Sequence, residues 1–337
     1  MNDEYKRQFH ENTCVIDLVS PLIAKEQYIS SYSKGGVNII GATLAVNDDC
    51  LKTMCTISEW LVRFRRLSSE ITHVLHIQDI NRAIEQNKVG IIFHFQNSTP
   101  LDDKIELVEI YYTLGVRVMQ LTYNRKNAFG CGCEEEIDTG LTVEGQELIA
   151  EMNRVGMVID LSHTGYKTSL EAIDYSNQPV ILSHSNATKL CPSARNVPDE
   201  LIERIAKQNG VIGLNAFPAL VSKKSMQPNL AELIDHVDYI ANLVGIDHIS
   251  LGLDYYTGQW PYEDTETSLK NYNSFIKRGV WNPKNYPPPP HKYPIDLETP
   301  DKIANLTYQL FERGYSEENV KKILGENILR VFSETWK

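Results

Sequence analysis

Eight short runs of apolar, largely β-branched residues punctuate the chain: Cys14–Val19, Val37–Ala45, Val89–Gln96, Val116–Tyr123, Met157–His163, Val180–His184, Val211–Phe217 and His248–Asp254. Each is close to continuously apolar rather than alternating, the pattern of strands buried on both faces of a parallel sheet. Most are separated by segments with the three-to-four-residue apolar spacing of amphipathic helices, as in Leu51–Leu67, Leu101–Leu114, Thr142–Val155 and Leu230–Val244. Val197-Pro198-Asp199-Glu200 and Thr299-Pro300-Asp301 place proline in a first helical turn beside acid, a helix-start signal. Eight strand–helix alternations predict an α/β fold, a closed (β/α)8 TIM barrel spanning residues 1–337 as one domain. A doubly wound open sheet is the competing architecture. Its nucleotide-binding versions lose support, because no Gly-x-Gly-x-x-Gly follows a strand and no Walker-type loop is present. The tail Ile323–Trp336 reads as a closing amphipathic helix.

Two long stretches fit neither pattern. Residues 124–141, rich in Gly, Cys and Glu, follow the fourth run, and residues 255–298, rich in Tyr, Trp and Pro, follow the eighth. Both leave the C-terminal end of the predicted barrel, where catalytic loops lie. Long loops in compact domains are commonly functional lids or disordered segments, and the aromatic content of the second favours an ordered lid or a subunit contact.

Composition narrows the partners. The net charge of −11 argues against nucleic acid or an anionic membrane surface. No apolar run reaches the roughly 18 residues of a membrane span. The opening Met1-Asn2-Asp3-Glu4-Tyr5-Lys6 lacks the apolar core of a secretory signal, so a cytoplasmic location is expected. Six cysteines in 337 residues are not a disulfide framework, and Cys131-Gly132-Cys133 has no partner pair elsewhere, which favours an ordinary loop.

Candidate chemistry sits where the strands end. Asp17, Gln96, Tyr123, His163, His184 and Asp254 close the first, third, fourth, fifth, sixth and eighth runs, and a barrel gathers such ends at one mouth. A single His at a strand end is more often a hydrogen-bonded structural residue than a ligand. Two on successive strands at the same level favour a metal site. His163 and His184, with Gln96 and a carboxylate, could hold one divalent ion, and Asp254 could serve as general base. His94, two residues before Gln96 and on the same strand face, is a weaker candidate. Read singly, Gln96 is polar core filler, Tyr123 a packing residue and Asp17 a loop cap.

Seven segments together resemble the membrane (renal) dipeptidase family: Leu114-Gly115-Val116-Arg117, Leu121-Thr122-Tyr123-Asn124, Gly140-Leu141-Thr142 through Asp160-Leu161-Ser162-His163, Ser183-His184-Ser185, Arg195-Asn196-Val197-Pro198-Asp199, Gly252-Leu253-Asp254 and Gly325-Glu326-Asn327-Ile328-Leu329-Arg330-Val331-Phe332. The resemblance implies an amidohydrolase-like barrel with two zinc ions, a peptidase activity and a homodimer. It implies zinc-binding histidines at His163 and His184, a catalytic aspartate at Asp254 that assists the metal-bound water, and a carboxylate-binding guanidinium at Arg195. It places substrate contacts at Tyr123 and Asn124, with Tyr123 expected to act beside Asp254 as a catalytic residue.

The match breaks at the other zinc. Where the family has Asp-Gly-His-Asn-Asp, this chain has Asp17-Leu18-Val19-Ser20-Pro21, so Val19 and Pro21 replace a His and an Asp ligand. Gln96 stands for the bridging Glu and Tyr123 for a substrate-contacting His. All four changes dismantle the same half of the centre. What is expected is at most one zinc, at His163, His184 and Gln96, or a metal-free pocket. The function expected is a hydrolase for a small amide or dipeptide-like compound bearing a carboxylate. The alternatives are a non-catalytic small-molecule-binding homologue and a structural role for the aromatic 255–298 segment.

Overall fold

A computed structural model describes residues 2–337. Nine parallel strands form the sheet: β1 Ile16–Ser20, β2 Ile39–Ala45, β3 Ile71–His73, β4 Val89–Phe95, β5 Val116–Gln120, β6 Val158–Asp160, β7 Val180–Leu182, β8 Val211–Leu214 and β9 Ile249–Leu251. Eight of them close into a barrel in the order β1, β2, β4, β5, β6, β7, β8, β9, with β9 returning to β1 through Asp17 beside Leu251. The fold is a (β/α)8 TIM barrel. All eight predicted runs are strands of this barrel.

β3 is the strand the pattern missed. It has three residues, only the first fully buried, so it carries no apolar run. It pairs with the first half of β4, Ile71 beside Val89 through His73 beside Ile91, while β5 pairs with the second half from Phe93 beside Val116. One strand edge is thus shared end to end by two neighbours.

Buried apolar residues fall in two groups. The larger lies between strands and surrounding helices. The smaller gathers Ile16, Ile39, Ile92, Val118, Val158 and Ile181 from the strands with Ile328, Val331 and Phe332 of the last helix, Asn327–Thr335. That helix packs on the starting residues of the strands and stops the barrel at the end opposite the candidate chemistry. The predicted tail helix is present, preceded by one wider turn at Lys322–Glu326. Helix starts follow the usual chemistry: Thr142 accepts from the Gly145 N–H at 2.9 Å, and Asn229 and Glu232 cap each other reciprocally.

The two long loops differ. Residues 124–141 contain no helix or strand, as expected. The stretch 255–298 is not all irregular: it carries a helix, Thr265–Lys277, whose start is capped by Asp264 accepting from the Thr267 N–H at 2.9 Å. Its proline and glycine flanks masked that helix in the sequence. All six cysteines are free. Among the described residues, no helix is long and apolar enough to cross a membrane.

Two glycines let the strand ends crowd together under the site. A Cβ on Gly213 would lie 1.9 Å from the Ser183 carbonyl oxygen, and one on Gly252 would lie 1.8 Å from the same atom. Only a residue without a side chain allows β8 and the chain after β9 to approach the end of β7 this closely.

Candidate active site

The site is organised by a carboxylate that its chemistry does not expose. Asp160, the last residue of β6, is fully buried. Its Oδ1 accepts from the N–H groups of Ser162 and Ser183, both at 2.9 Å. Its Oδ2 accepts from the Ser183 hydroxyl and from His94 Nε2 at 3.1 Å. Burial pushes the Asp160 carboxyl up, but the hydrogen bonds from His94 and Ser183 and the neighbouring imidazoles outweigh it and bring the group down to about 2. These bonds end the strand three residues before the sequence pattern suggests and turn the chain, so that His163 adopts a left-handed φ of 62°.

Hydrogen-bond accounting then fixes both candidate histidines. Asn124 Nδ2 donates to the Val280 carbonyl at 3.0 Å, so Asn124 Oδ1 faces His163 Nδ1 at 2.7 Å, and that nitrogen carries its proton. Ser183 gives its single hydroxyl proton to Asp160. Its oxygen can therefore only accept from His184 Nδ1, at 2.6 Å. Both rings are Nδ1–H tautomers with a lone pair on Nε2, and the two Nε2 atoms lie 2.9 Å apart. Lone pairs at that separation repel unless a proton or cation sits against them. A proton is a poor candidate. Burial, then the Arg195 charge, holds both imidazoles well below their ordinary range.

The donor set thus fits one divalent ion. Each Nε2 is aimed by a partner on the opposite ring nitrogen, the arrangement of metal-binding imidazoles. It does not fit two ions. Val19 is buried and Pro21 lines the cavity, and neither offers a donor at the end of β1. Gln96, 3 % exposed, is neutral, and its Nε2 donates to Thr43 Oγ1 at 3.0 Å. Among the described residues, no group of three or more His, Cys, Asp or Glu is placed to hold a metal ion. Any ion at the two imidazoles would need a neutral oxygen or a ligand atom to complete its shell.

Gln96, Tyr123, His163, Arg195 and Asp254 all line one cavity of about 310 Å³. Asp254, only partly buried, stands there at a left-handed φ of 61°. Its N–H donates to the Val19 carbonyl at 3.1 Å, and its Oδ2 accepts from Asn215 Nδ2 at 3.4 Å. Burial pushes its carboxyl up to about 7, against the pull of Arg195, Asn215 and Gln96. Arg195 is 2 % exposed, and its Nε donates to the Tyr286 hydroxyl and its Nη2 to the His184 carbonyl, each at 3.1 Å. Tyr123 stacks on the His163 ring at 4.0 Å, and its hydroxyl accepts from Trp281 Nε1 at 3.1 Å. Burial pushes that phenol well above its usual range.

Two sequence candidates lie elsewhere. Asn124 is buried behind His163 and holds its ring. Asp17 does not close its strand as expected: it is the second residue of β1, buried, where Oδ1 accepts from the Leu253 N–H at 2.8 Å and Oδ2 has no partner. His94, the weaker candidate, is buried and spent on Asp160. Sequence reasoning missed the holding roles of Asp160, Ser183 and Asn215, and the tie from Trp281 to Tyr123. Asp160 and Ser183 stood inside the segments that carried the resemblance, beside the histidines they orient. Asn124, His163 and Asp254 all have φ near 60°, a conformation that strains residues with a Cβ and gathers where function requires it.

The sequence pattern of the membrane dipeptidase family, peptidase family M19, matches residues 46–282 and 290–337. The chain belongs to the membrane dipeptidase family. Among family relatives, dipeptidase TcpJ of Claviceps purpurea is 31 % identical over 277 residues, covering 81 % of this chain and 58 % of that protein. Dipeptidase AclJ of Aspergillus oryzae is 30 % identical over 231 residues, 68 % of this chain and 47 % of that protein. The chain spans about half the length of these curated relatives. An amidohydrolase from Pseudomonas aeruginosa superposes with a TM-score of 0.87 at 32 % identity, covering 98 % of this chain and 99 % of that one. A metallopeptidase from Rhodobacter sphaeroides shares the fold, with a TM-score of 0.80 at 17 % identity over 96 % of this chain and 100 % of that one. Against the resemblance drawn from the sequence, this membrane dipeptidase homologue has donors for one imidazole-bound ion and none at Val19 and Pro21.

Proposed function

We propose that this membrane dipeptidase homologue hydrolyses a small amide or dipeptide-like compound bearing a carboxylate, with one zinc ion at His163 and His184. The observation that carries this reading is the pair of Nε2 lone pairs aimed at one point, 2.9 Å apart, each fixed by a partner behind its ring. Gln96, which lines the same cavity as His163, is the neutral oxygen donor assigned to the ion. A zinc ion bound there supplies Lewis acidity toward a carbonyl oxygen.

The chain's own residues do the rest. Arg195, pinned by Tyr286 and the His184 carbonyl, receives the substrate carboxylate as a charge-assisted hydrogen bond. Asp254, with its carboxyl near 7, takes a proton from the attacking water at its carboxylate oxygen and returns it to the leaving nitrogen. Tyr123, kept protonated, presents its hydroxyl to the substrate carbonyl. The dipeptidase descriptions of two relatives at 30 and 31 % identity and the amidohydrolase at 32 % support the reaction class. The family resemblance further implies a homodimer, which light scattering of the purified chain tests.

The test is hydrolysis of a dipeptide panel by zinc-supplemented protein and by Asp254→Asn, which should lose about 10²- to 10⁴-fold in kcat. A second reading, a binding protein that has lost catalysis, is favoured by Val19, Pro21 and Gln96 at the missing half-site. It is upheld if zinc-supplemented protein binds carboxylate compounds but leaves the whole panel uncleaved.

A further inference from the structure

The cavity has two unlike walls. Its floor is polar: Gln96, His163, Arg195 and Asp254. Its roof is aromatic and comes largely from the 255–298 segment, with Tyr256, Phe275 and Trp281 lining the cavity and each only partly buried. Apolar surface left open in this way gains from any ring that covers it.

The roof is held rigidly before anything binds. Trp281 stacks on Tyr286 at 4.7 Å and 6°, and Phe275 packs on the indole at 4.8 Å. Trp281 Nε1 is tied to the Tyr123 hydroxyl, and the Val280 carbonyl to Asn124, so the lid segment is fastened to the same loop that holds His163. A wall ordered in advance loses little entropy on binding. The Trp281 indole and the buried Arg195 guanidinium therefore face one small volume, and both are fixed through Tyr286, which stacks on the first and accepts from the second. Arg278 lines the same cavity and favours entry of an anion, whereas Lys52 there is paired with Asp48 at 2.5 Å and adds little net charge.

We propose that the cavity selects a carboxylate attached through a short linker to a flat aromatic ring, the carboxylate meeting Arg195 and the ring lying against Phe275 and Trp281. The inference rests on the functional reading above only in assigning Arg195 to the carboxylate. It concerns binding, so it stands or falls apart from hydrolysis and from zinc.

The probes are 3-phenylpropanoate, 3-cyclohexylpropanoate and 3-phenylpropanol, none of which has an amide to cleave. Each is titrated calorimetrically into the full chain, with and without prior chelation. The expected order is phenylpropanoate tighter than cyclohexylpropanoate by about 3- to 10-fold, since ring pairing adds to the area both bury. Phenylpropanol should bind at least about 10-fold more weakly than phenylpropanoate, having lost the charged partner of Arg195. Trp281→Leu and Phe275→Leu should each reduce the ring preference toward unity while retaining the carboxylate preference. Equal binding of the two acids, or a ring preference unchanged in both variants, overturns the aromatic assignment. Equal binding of the acid and the alcohol overturns the carboxylate assignment. Failure of the dipeptide panel with this binding order intact sinks the hydrolase reading and leaves this one standing.

Discussion

Replacing Asp160 by asparagine tests whether the buried carboxylate sets the tautomer of His184. An asparagine oxygen can keep the two N–H groups of Ser162 and Ser183 that Oδ1 now accepts at 2.9 Å. Its NH2 then replaces Oδ2 and faces two donors, the Ser183 hydroxyl and His94 Nε2. Bonds to a charged acceptor contribute about 1.5–3 kcal/mol each. His94 can change tautomer and Ser183 can rotate, so the loss should sit near the low end, about 3 kcal/mol for the two. With unfolding entropy of about 2.1 cal/mol/K per residue, 337 residues give roughly 0.7 kcal/mol/K, and the midpoint should fall by about 4 °C. The second consequence is more specific. A rotated Ser183 hydroxyl donates to His184 Nδ1, which moves the ring proton to Nε2 and removes the lone pair. Zinc affinity should fall about 10- to 100-fold, the usual effect of losing a partner behind a metal-binding imidazole. Differential scanning calorimetry reads the first effect and a zinc titration with a competing chelator the second. An Asp160→Asn protein that binds zinc within twofold of the parent would refute the tautomer argument, whatever its midpoint.

Other consequences follow from the same geometry. Arg195→Ala should weaken 3-phenylpropanoate binding about 10- to 100-fold in the same calorimetric titration, because a charged hydrogen-bond partner is lost. Gly252→Ala places a methyl 1.8 Å from the Ser183 carbonyl oxygen, so it should cost about 3 kcal/mol, the upper range for forced overpacking, or yield insoluble protein; an unchanged midpoint would contradict the close approach. Asp17, pushed up to about 7 by burial, stays protonated in the folded chain where the unfolded chain has already released its proton. Its contribution to stability therefore declines as pH rises from about 4 through 7, and Asp17→Asn should flatten the fall of the thermal midpoint across that window. Asp160, brought down to about 2, acts in the opposite sense, and its contribution is lost as pH falls below about 4.

The barrel was legible because strands buried on both faces leave runs that need no partner to be recognised. Val211–Leu214 and Ile249–Leu251 are examples. β3 was not, since three residues with one buried position carry no run. The helix Thr265–Lys277 was hidden in a segment whose proline content spoke for loop. At the site, strand ends announced His163, His184 and Asp254. What the sequence could not express is which atom of each side chain is free. That depends on the Asn124 amide direction, set by Val280, and on the Ser183 proton, claimed by Asp160. These partners lie 156 and 23 residues away along the chain and meet only in the closed barrel. Asn124 itself was placed toward substrate by the resemblance and stands behind His163 in the structure.

The central claim is that two imidazoles hold one ion and that the strand-one position holds none. Metal analysis of unchelated protein, alongside His163→Ala and His184→Ala, tests it most directly. The account predicts about one zinc per chain in the parent and a loss of that zinc in both variants. Two zinc ions per chain, or none after purification with added zinc, would contradict it.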